Sequence, residues 1–413
     1  MPRRVVVTGI GVLTPIGHGV DGLWQGACSG RSGIRTIDRF DTSQVRTKVA
    51  AQIDDFDPLE FFDAKTARRM DRFAQLALAA CDQALCDAGL KCDPAMPSAR
   101  FGVTMGTALG GVAGAELQHE LYVHGGLGAV DTSLALTVFG GSGSSNIAIR
   151  YGLAGPSNAN SNSCASGAIA VGEAYRYIKE GYADAMVAAS AEAPLYELTF
   201  SAFTLIRTMS VNPDPGTACR PFDRKRDGFV MGEAAAVLVL EELGHAIRRE
   251  AHVYCEVLGY ACNNDAHHMV APPPDGRGAV RAMTDALREG DVTSDEIGYI
   301  NAHASSTQLN DKVETQAIKR VFGGRAPLIP VSGTKSMHGH ALGASGAVEA
   351  AISCLVLERG VFPPTVNLRH PDPECDLDYV ANAARPGQAD YVLSNSFGFG
   401  GINASLLFGR VKP

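Results

Sequence analysis

The sequence predicts an α/β protein on three observations. Short runs of β-branched and apolar residues alternate with longer stretches of helical periodicity. The order of these elements in the first part of the chain recurs in the second. The 413 residues suffice for two domains or two halves of one large core. The junction is placed near residue 252, giving halves 1–252 and 253–413. No internal sequence repeat is visible, so the duplication rests on element order alone.

The first element is a buried strand at 5–8. The N-terminal run from Met1 resembles a signal peptide only briefly, because Gly9, Gly11, Pro15 and Gly17 interrupt it. A helix follows at 69–88 and a strand at 101–105. After Cys164, Val171, Ala174, Tyr175 and Ile178 fall at i, i+3, i+4 and i+7, with Gly181 as a stop, which predicts a helix. Strands at 185–189 and 237–240 close the first half. The second half opens with a strand at 253–260 and a proline-rich loop at 267–276. Helices at 277–289, 312–322 and 341–359 then alternate with strands at 297–302, 391–395 and 404–408. Glycine and serine concentrate at 125–128 and 140–145, in stretches too short to be low-complexity segments.

Composition narrows the function classes. A 46% hydrophobic fraction indicates a compact globular chain, and a net charge of −8 argues against nucleic acid or an anionic membrane as a general partner. Ten cysteines without a CxxC or a regular framework fit reduced thiols in a cytoplasm. No stretch reaches the ~18 consecutive apolar residues that a membrane span requires.

Cys164 is the first candidate for chemistry. It lies in Asn162-Ser163-Cys164-Ala165-Ser166-Gly167, at the start of a helix. Free N–H groups and the helix dipole there favour thiolate, lowering the pKa from its reference of ~8.5. The alternative is a buried, inert thiol. His303 follows a buried strand within Asn301-Ala302-His303-Ala304-Ser305-Ser306-Thr307, and its near-neutral pKa suits proton handling; a structural histidine is the alternative.

A third cluster, 333–343, holds Lys335, His338 and His340 and opens a helix that is apolar nearly all round, with Glu349 in its middle. A buried carboxylate needs a partner, and Lys335 has the length to be one. The alternative is a purely structural ion pair. His338-Gly339-His340 and His267-His268 lack further ligands at a familiar zinc spacing, so no metal is predicted. Gly398-Phe399-Gly400-Gly401 has no P-loop lysine and Gly9-Ile10-Gly11 lacks the third glycine of a dinucleotide fingerprint, so no cofactor is predicted. One thiol and two histidines suggest a thioester-forming nucleophile followed by stabilisation of charge at a second carbonyl oxygen. A cysteine protease needs one histidine with an orienting Asn or Asp, and the spacing leaves it open.

Together these motifs resemble the elongating 3-oxoacyl-[acyl-carrier-protein] synthases of type II systems, within the thiolase-like superfamily. The resemblance also includes Arg4-Val5-Val6-Val7-Thr8-Gly9-Ile10-Gly11, Arg220-Pro221-Phe222-Asp223, Arg226-Asp227-Gly228-Phe229 and Asn395-Ser396-Phe397-Gly398. It implies a thiolase-like fold of duplicated βαβαβ halves in five α-β-α-β-α layers, usually dimeric. It further implies that Cys164 takes the acyl group and that His303 and His340 drive malonyl decarboxylation and hold the enolate. Lys335 and its partner Glu349 support them, as does Asp311. Backbone N–H groups of Cys164 and Phe399 would form the oxyanion hole, with Phe399 also gating the acyl pocket.

Leu109, Val270, Ser305 and Thr307 fall in the implied substrate pocket. Lys65, Arg68, Arg69 and Arg207 form the implied basic patch for an acidic acyl carrier protein. A solvated helix face is the alternative for the first three. Ala304, Ser305 and Val270 stand where the family usually has Gly, Thr and Thr, and 140–145 is unusually small-residued, which opens the question of substrate. The competing readings are a secondary-metabolite ketosynthase paired with a non-catalytic chain-length subunit, such a subunit itself, and a decarboxylase that never condenses. Cys164 speaks against the second.

Overall fold

The computed structural model describes residues 3–412; Met1, Pro2 and Pro413 lie outside the described residues. Ten strands form its frame. The first five are β1 (Val5–Thr14), β2 (Phe101–Gly106), β3 (Ser157–Asn160), β4 (Ala185–Glu192) and β5 (Ala234–Glu242). The second five are β6 (Cys255–Asn264), β7 (Ile297–Asn301), β8 (Val331–Ser332), β9 (Tyr391–Gly398) and β10 (Ile402–Gly409). They hydrogen-bond in the order β8-β7-β9-β10-β6-β1-β5-β4-β2-β3, and a two-residue strand, Gly17–His18, pairs with β1 as the eleventh member.

Each half has the same internal order and the same directions. β2, β3 and β4 are parallel, as are β7, β8 and β9. The last and first strands of each half add antiparallel neighbours. The halves meet where Val5–Val7 of β1 pair with Cys255–Val257 of β6. β1, β2 and β4 are buried along their whole length, as expected of strands covered on both faces.

Six helices supply that cover: α1 (Arg72–Asp87), α2 (Gly141–Tyr151), α3 (Ser166–Lys179), α4 (Arg277–Glu289), α5 (Gln308–Phe322) and α6 (Ser345–Arg359). α1 begins three residues later than the periodicity indicates, because the Asp71 side chain accepts the Phe73 N–H and caps it there. α5 begins earlier than expected, at Gln308, where Thr307 supplies the cap. The segment around Lys335 is a helical turn, Lys335–His338, and α6 starts only at Ser345 after a 3₁₀ turn. α1 and α2 cover the outside of the first half, and α4 and α5 the outside of the second. α3 and α6 pack together between the halves, in the largest apolar core, completing five layers.

Gly9 and Gly11 serve packing. A Cβ on Gly9 would lie 2.3 Å from the Ala84 carbonyl oxygen, and one on Gly11 2.0 Å from that of Ala80, so only glycine lets α1 sit on β1.

The duplication also leaves a sequence trace, contrary to the expectation from sequence alone. Cys164-Ala165-Ser166-Gly167-Ala168 leads into α3, and Gly343-Ala344-Ser345-Gly346-Ala347 leads into α6. Each helix follows a 3₁₀ turn whose first residue has a positive φ, 50° at Ser163 and 38° at Leu342. The small residues let the two helices cross closely. A Cβ on Gly167 would meet Ala347 N at 2.7 Å, and one on Gly346 would meet Ala168 N at 2.7 Å. Four identical residues in five are too short a repeat to stand out before the fold aligns them.

Candidate active site

A cavity of about 230 Å³ opens over the start of α3. Cys164, His303 and His340 all line it, with Phe229, Leu342, Phe397 and Phe399 as apolar wall. Val270, Ser305 and Thr307 line it as well, and Arg207 with Asp227, Gln308 and Asn310 adds polar lining. No group of three or more metal-ligating side chains occurs among the described residues.

Cys164 is 7% exposed. The helix start does not depress its pKa as the sequence suggests: burial pushes the thiol up to about 11. Lys335 and the N–H groups of Phe399 and Cys164 pull the other way without prevailing. The sulfur therefore rests as a thiol. Its alkylation by iodoacetamide, followed on the Cys164 peptide by mass spectrometry, should rise about tenfold per pH unit between pH 7 and 9. A plateau below pH 8 would contradict that state.

The two imidazoles stand edge to face, with ring centroids 5.4 Å apart and planes at 82°. Both are fully buried, and burial together with the Lys335 charge holds each well below the usual histidine range. They are neutral at physiological pH. Lys335 Nζ lies 3.4 Å from His303 Nδ1 and donates to the His303 carbonyl oxygen at 2.6 Å. An ammonium has only protons to offer, so Nδ1 accepts and the His303 proton sits on Nε2. His340 Nδ1 meets Ser345 Oγ at 2.8 Å, at the first residue of α6.

Lys335 is completely buried and also donates to Glu349, whose carboxyl burial pushes up to about 7 while the ammonium pulls it down. The turn Lys335–His338 places the lysine and α6 places the glutamate, so the pair ties the His303 loop to the central layer. His338 is turned away, its Nε2 3.2 Å from Thr334 Oγ1, and does not line the cavity.

Sequence reasoning missed Glu314. On α5, fully buried, it accepts the N–H groups of both His303 and Ala304 at 2.8 Å and so fixes the backbone that carries the imidazole. Nothing local marks it, since it is one acid in a polar helix, and only the fold turns it inward. Asp311, on the same helix, accepts the Phe222 N–H at 2.9 Å and lies 3.4 Å from the Arg226 guanidinium, bracing the loop from behind. Leu109 does not line the cavity; it packs in the apolar cluster that includes Leu342 and Phe399. Lys65, Arg68 and Arg69 are exposed on and just after a short helix, Ala64–Ala67, and also do not line it.

Ala304 occupies a left-handed conformation, φ 42°, in a fully buried position. A residue with a Cβ there is strained by roughly 1 kcal/mol relative to glycine. Ala304→Gly is expected to change stability by no more than about 0.5 kcal/mol in urea unfolding, because about 1 kcal/mol of strain relief is largely offset by the added chain entropy of about 0.4–1 kcal/mol.

Known proteins resemble the chain along its whole length. Residues 2–246 match the family "Beta-ketoacyl synthase, N-terminal domain" and residues 254–369 match "Beta-ketoacyl synthase, C-terminal domain". The 3-oxoacyl-[acyl-carrier-protein] synthase 2 of Synechocystis sp. is 44% identical over 411 residues, 99% of both chains. Among solved structures, a ketosynthase in complex with its type II polyketide acyl-carrier protein aligns with a TM-score of 0.92 at 34% identity, covering 100% of both chains. The ishigamide ketosynthase/chain length factor aligns at 0.93 and 36% identity, likewise covering 100% of both chains. With its thiolase-like duplicated fold and a cysteine and two histidines facing one cavity, the chain belongs to the beta-ketoacyl synthase family.

Proposed function

We propose that the chain catalyses decarboxylative condensation of an acyl thioester on Cys164 with malonyl-acyl carrier protein. The observation that carries this is the convergence of Cys164, His303 and His340 on one cavity, with both imidazoles neutral. In the first stage Cys164 sulfur attacks the thioester of an acyl carrier protein. The S–acyl bond moves to Cys164, and the thiol proton leaves on the carrier thiol. The resulting carbonyl oxygen lies between the N–H groups of Cys164 and Phe399, which serve as its oxyanion hole.

In the second stage malonyl carrier protein loses CO2, and the electron pair of the broken C–C bond becomes an enolate. His303 donates its Nε2–H to the enolate oxygen. With Ser345 Oγ donating to its Nδ1, His340 offers a second N–H. The enolate carbon attacks the acyl-enzyme carbonyl, the bond between the acyl carbon and Cys164 sulfur breaks, 3-oxoacyl carrier protein leaves, and the Cys164 thiolate takes up a proton from solvent. Lys335, Glu349, Glu314 and Asp311 hold the histidine loop; Val270, Ser305 and Thr307 line the approach to it. Arg207 lines the cavity and Lys65, Arg68 and Arg69 offer exposed cations to an acidic carrier.

Chain elongation of the fatty acid kind is the favoured setting, supported by the Synechocystis synthase being more similar, at 44% identity, than the type II polyketide ketosynthase at 34%. Exposed apolar side chains at Leu121, Tyr122, Leu127, Leu136 and Phe139 support a dimer of this chain. Among the described residues no helix is long and apolar enough to cross a membrane, and ten free cysteines support a reducing, cytoplasmic setting. The deciding experiment supplies the enzyme with acyl and malonyl carrier proteins and measures CO2 and 3-oxoacyl product together. Equal amounts of both are expected; CO2 without new C–C bonds would sink the proposal.

A further inference from the structure

The duplication gives the start of α3 a counterpart at the start of α6, where Gly343 stands in place of Cys164. In the first half the turn Gly398-Phe399 lies against the start of α3, a Cβ on Gly398 falling 3.1 Å from Cys164 N, and the N–H groups of Phe399 and Cys164 favour the thiolate. In the second, a set of donors converges on one carboxylate, that of Glu192 at the end of β4. Glu192 Oε2 accepts the N–H groups of Gly343 at 3.0 Å and Ala108 at 2.6 Å, and Oε1 accepts the Leu109 N–H and the Thr107 hydroxyl, each at 3.1 Å. Glu192 is fully buried and has no cation among these partners. Gly343 leaves the space: a Cβ on it would lie 2.4 Å from Ala108 N and 2.7 Å from Glu192 Oε2.

We infer that Glu192 fills a second anion hole, the non-reacting twin of the one at Cys164, and through it positions the wall along which the acyl chain lies. The two segments it binds carry that wall. Leu109 follows Ala108 directly and Leu342 precedes Gly343. Both pack with Phe200, Met231 and Phe399 in one apolar cluster, and Leu342 also lines the Cys164 cavity. One carboxylate thus clamps the loop after β2, from the nucleophile's half, to the loop before α6, from the histidines' half. Burial pushes its carboxyl up to about 7, while four donors pull it back toward the charged form. Glutamine cannot replace it without cost, because its amide would turn N–H groups toward donors.

This inference rests on the acyl-holding reading of Cys164. The test compares wild type, Glu192→Gln and Glu192→Ala, each checked for folding by circular dichroism, for acylation of Cys164 by a series of short to long acyl carrier proteins, followed by intact mass. The ratio of long-chain to short-chain acylation is expected to shift about tenfold in both variants, within the ~10²-fold that a misplacement of about 1 Å can cost. Added formate should return the Ala variant toward the wild-type ratio by entering the vacated hole, and should leave the Gln variant unmoved. An unshifted ratio, or a shift in the Ala variant that formate does not reverse, overturns the inference. If the Ala variant does not fold, the ratio in the Gln variant decides. A wild type that takes no acyl group at Cys164 would instead remove the acyl-holding reading itself.

Discussion

Cys164→Ala is expected to abolish acyl-enzyme formation and lower condensation by at least about 10⁴-fold while decarboxylation of malonyl carrier protein continues. Loss of a nucleophile that acts as part of a unit removes nearly the whole chemical advantage of that unit. In the proposed cycle the second half-reaction uses different groups. His303 is held by Lys335 and Glu314, and His340 by Ser345; none of these contacts passes through the Cys164 side chain. Intact mass checks the first expectation and a CO2 assay with analysis of the acetyl carrier product checks the second. Condensation retained by the Ala variant would refute the role given to Cys164. Decarboxylation lost along with it would refute the separation of the two stations.

Lys335→Met is expected to lower stability by ~3–5 kcal/mol and to depress decarboxylation as well, for two separable reasons. The first is electrostatic: Glu349, fully buried in α6, loses its counter-ion, and breaking one side of a buried pair costs about that much. The second is tautomeric. His303 Nδ1 loses the donor that keeps its proton on Nε2.

The pH dependence has a definite sign. Without Lys335 the Glu349 carboxyl lies above its present value of about 7 in the folded protein and near 4.5 when unfolded. Folding then takes up a proton, so stability falls as pH rises through that window. Wild type shares that slope below about pH 7, so the deficit should shrink as pH is lowered from 9 toward 7 and stay level below that. The double variant Lys335→Met/Glu349→Met removes both charges and is expected to regain most of the stability in urea unfolding, but not the decarboxylation. Recovery of both would make the lysine structural alone.

Much of this centre was legible before the fold. Cys164 stood at a helix start, His303 just beyond a strand, and Glu349 amid an apolar helix that needed a cation. The element order showed two halves. Other features were hidden for physical reasons. The Cys164 pKa was misjudged because a helix terminus is visible in sequence and depth of burial is not. Glu314 and Glu192 look like ordinary acids of a polar helix and a strand end; their partners lie 10 to 151 residues away along the chain.

By itself the sequence marked Cys164, His303, His340, Lys335 and Glu349 as candidates, because a thiol at a helix start, a histidine beyond a strand and a buried carboxylate needing a cation are each visible as local patterns. It also determined the class of fold, because hydrophobic period and glycine placement are local properties. Only the tertiary structure decided how those residues act. It set the protonation of Cys164, His303 and His340 through burial, joined the two halves by pairing β1 with β6, and brought Gly343 against Glu192. Desolvation and long-range hydrogen bonding depend on what the rest of the chain places around a group, and that is fixed only when the layers close.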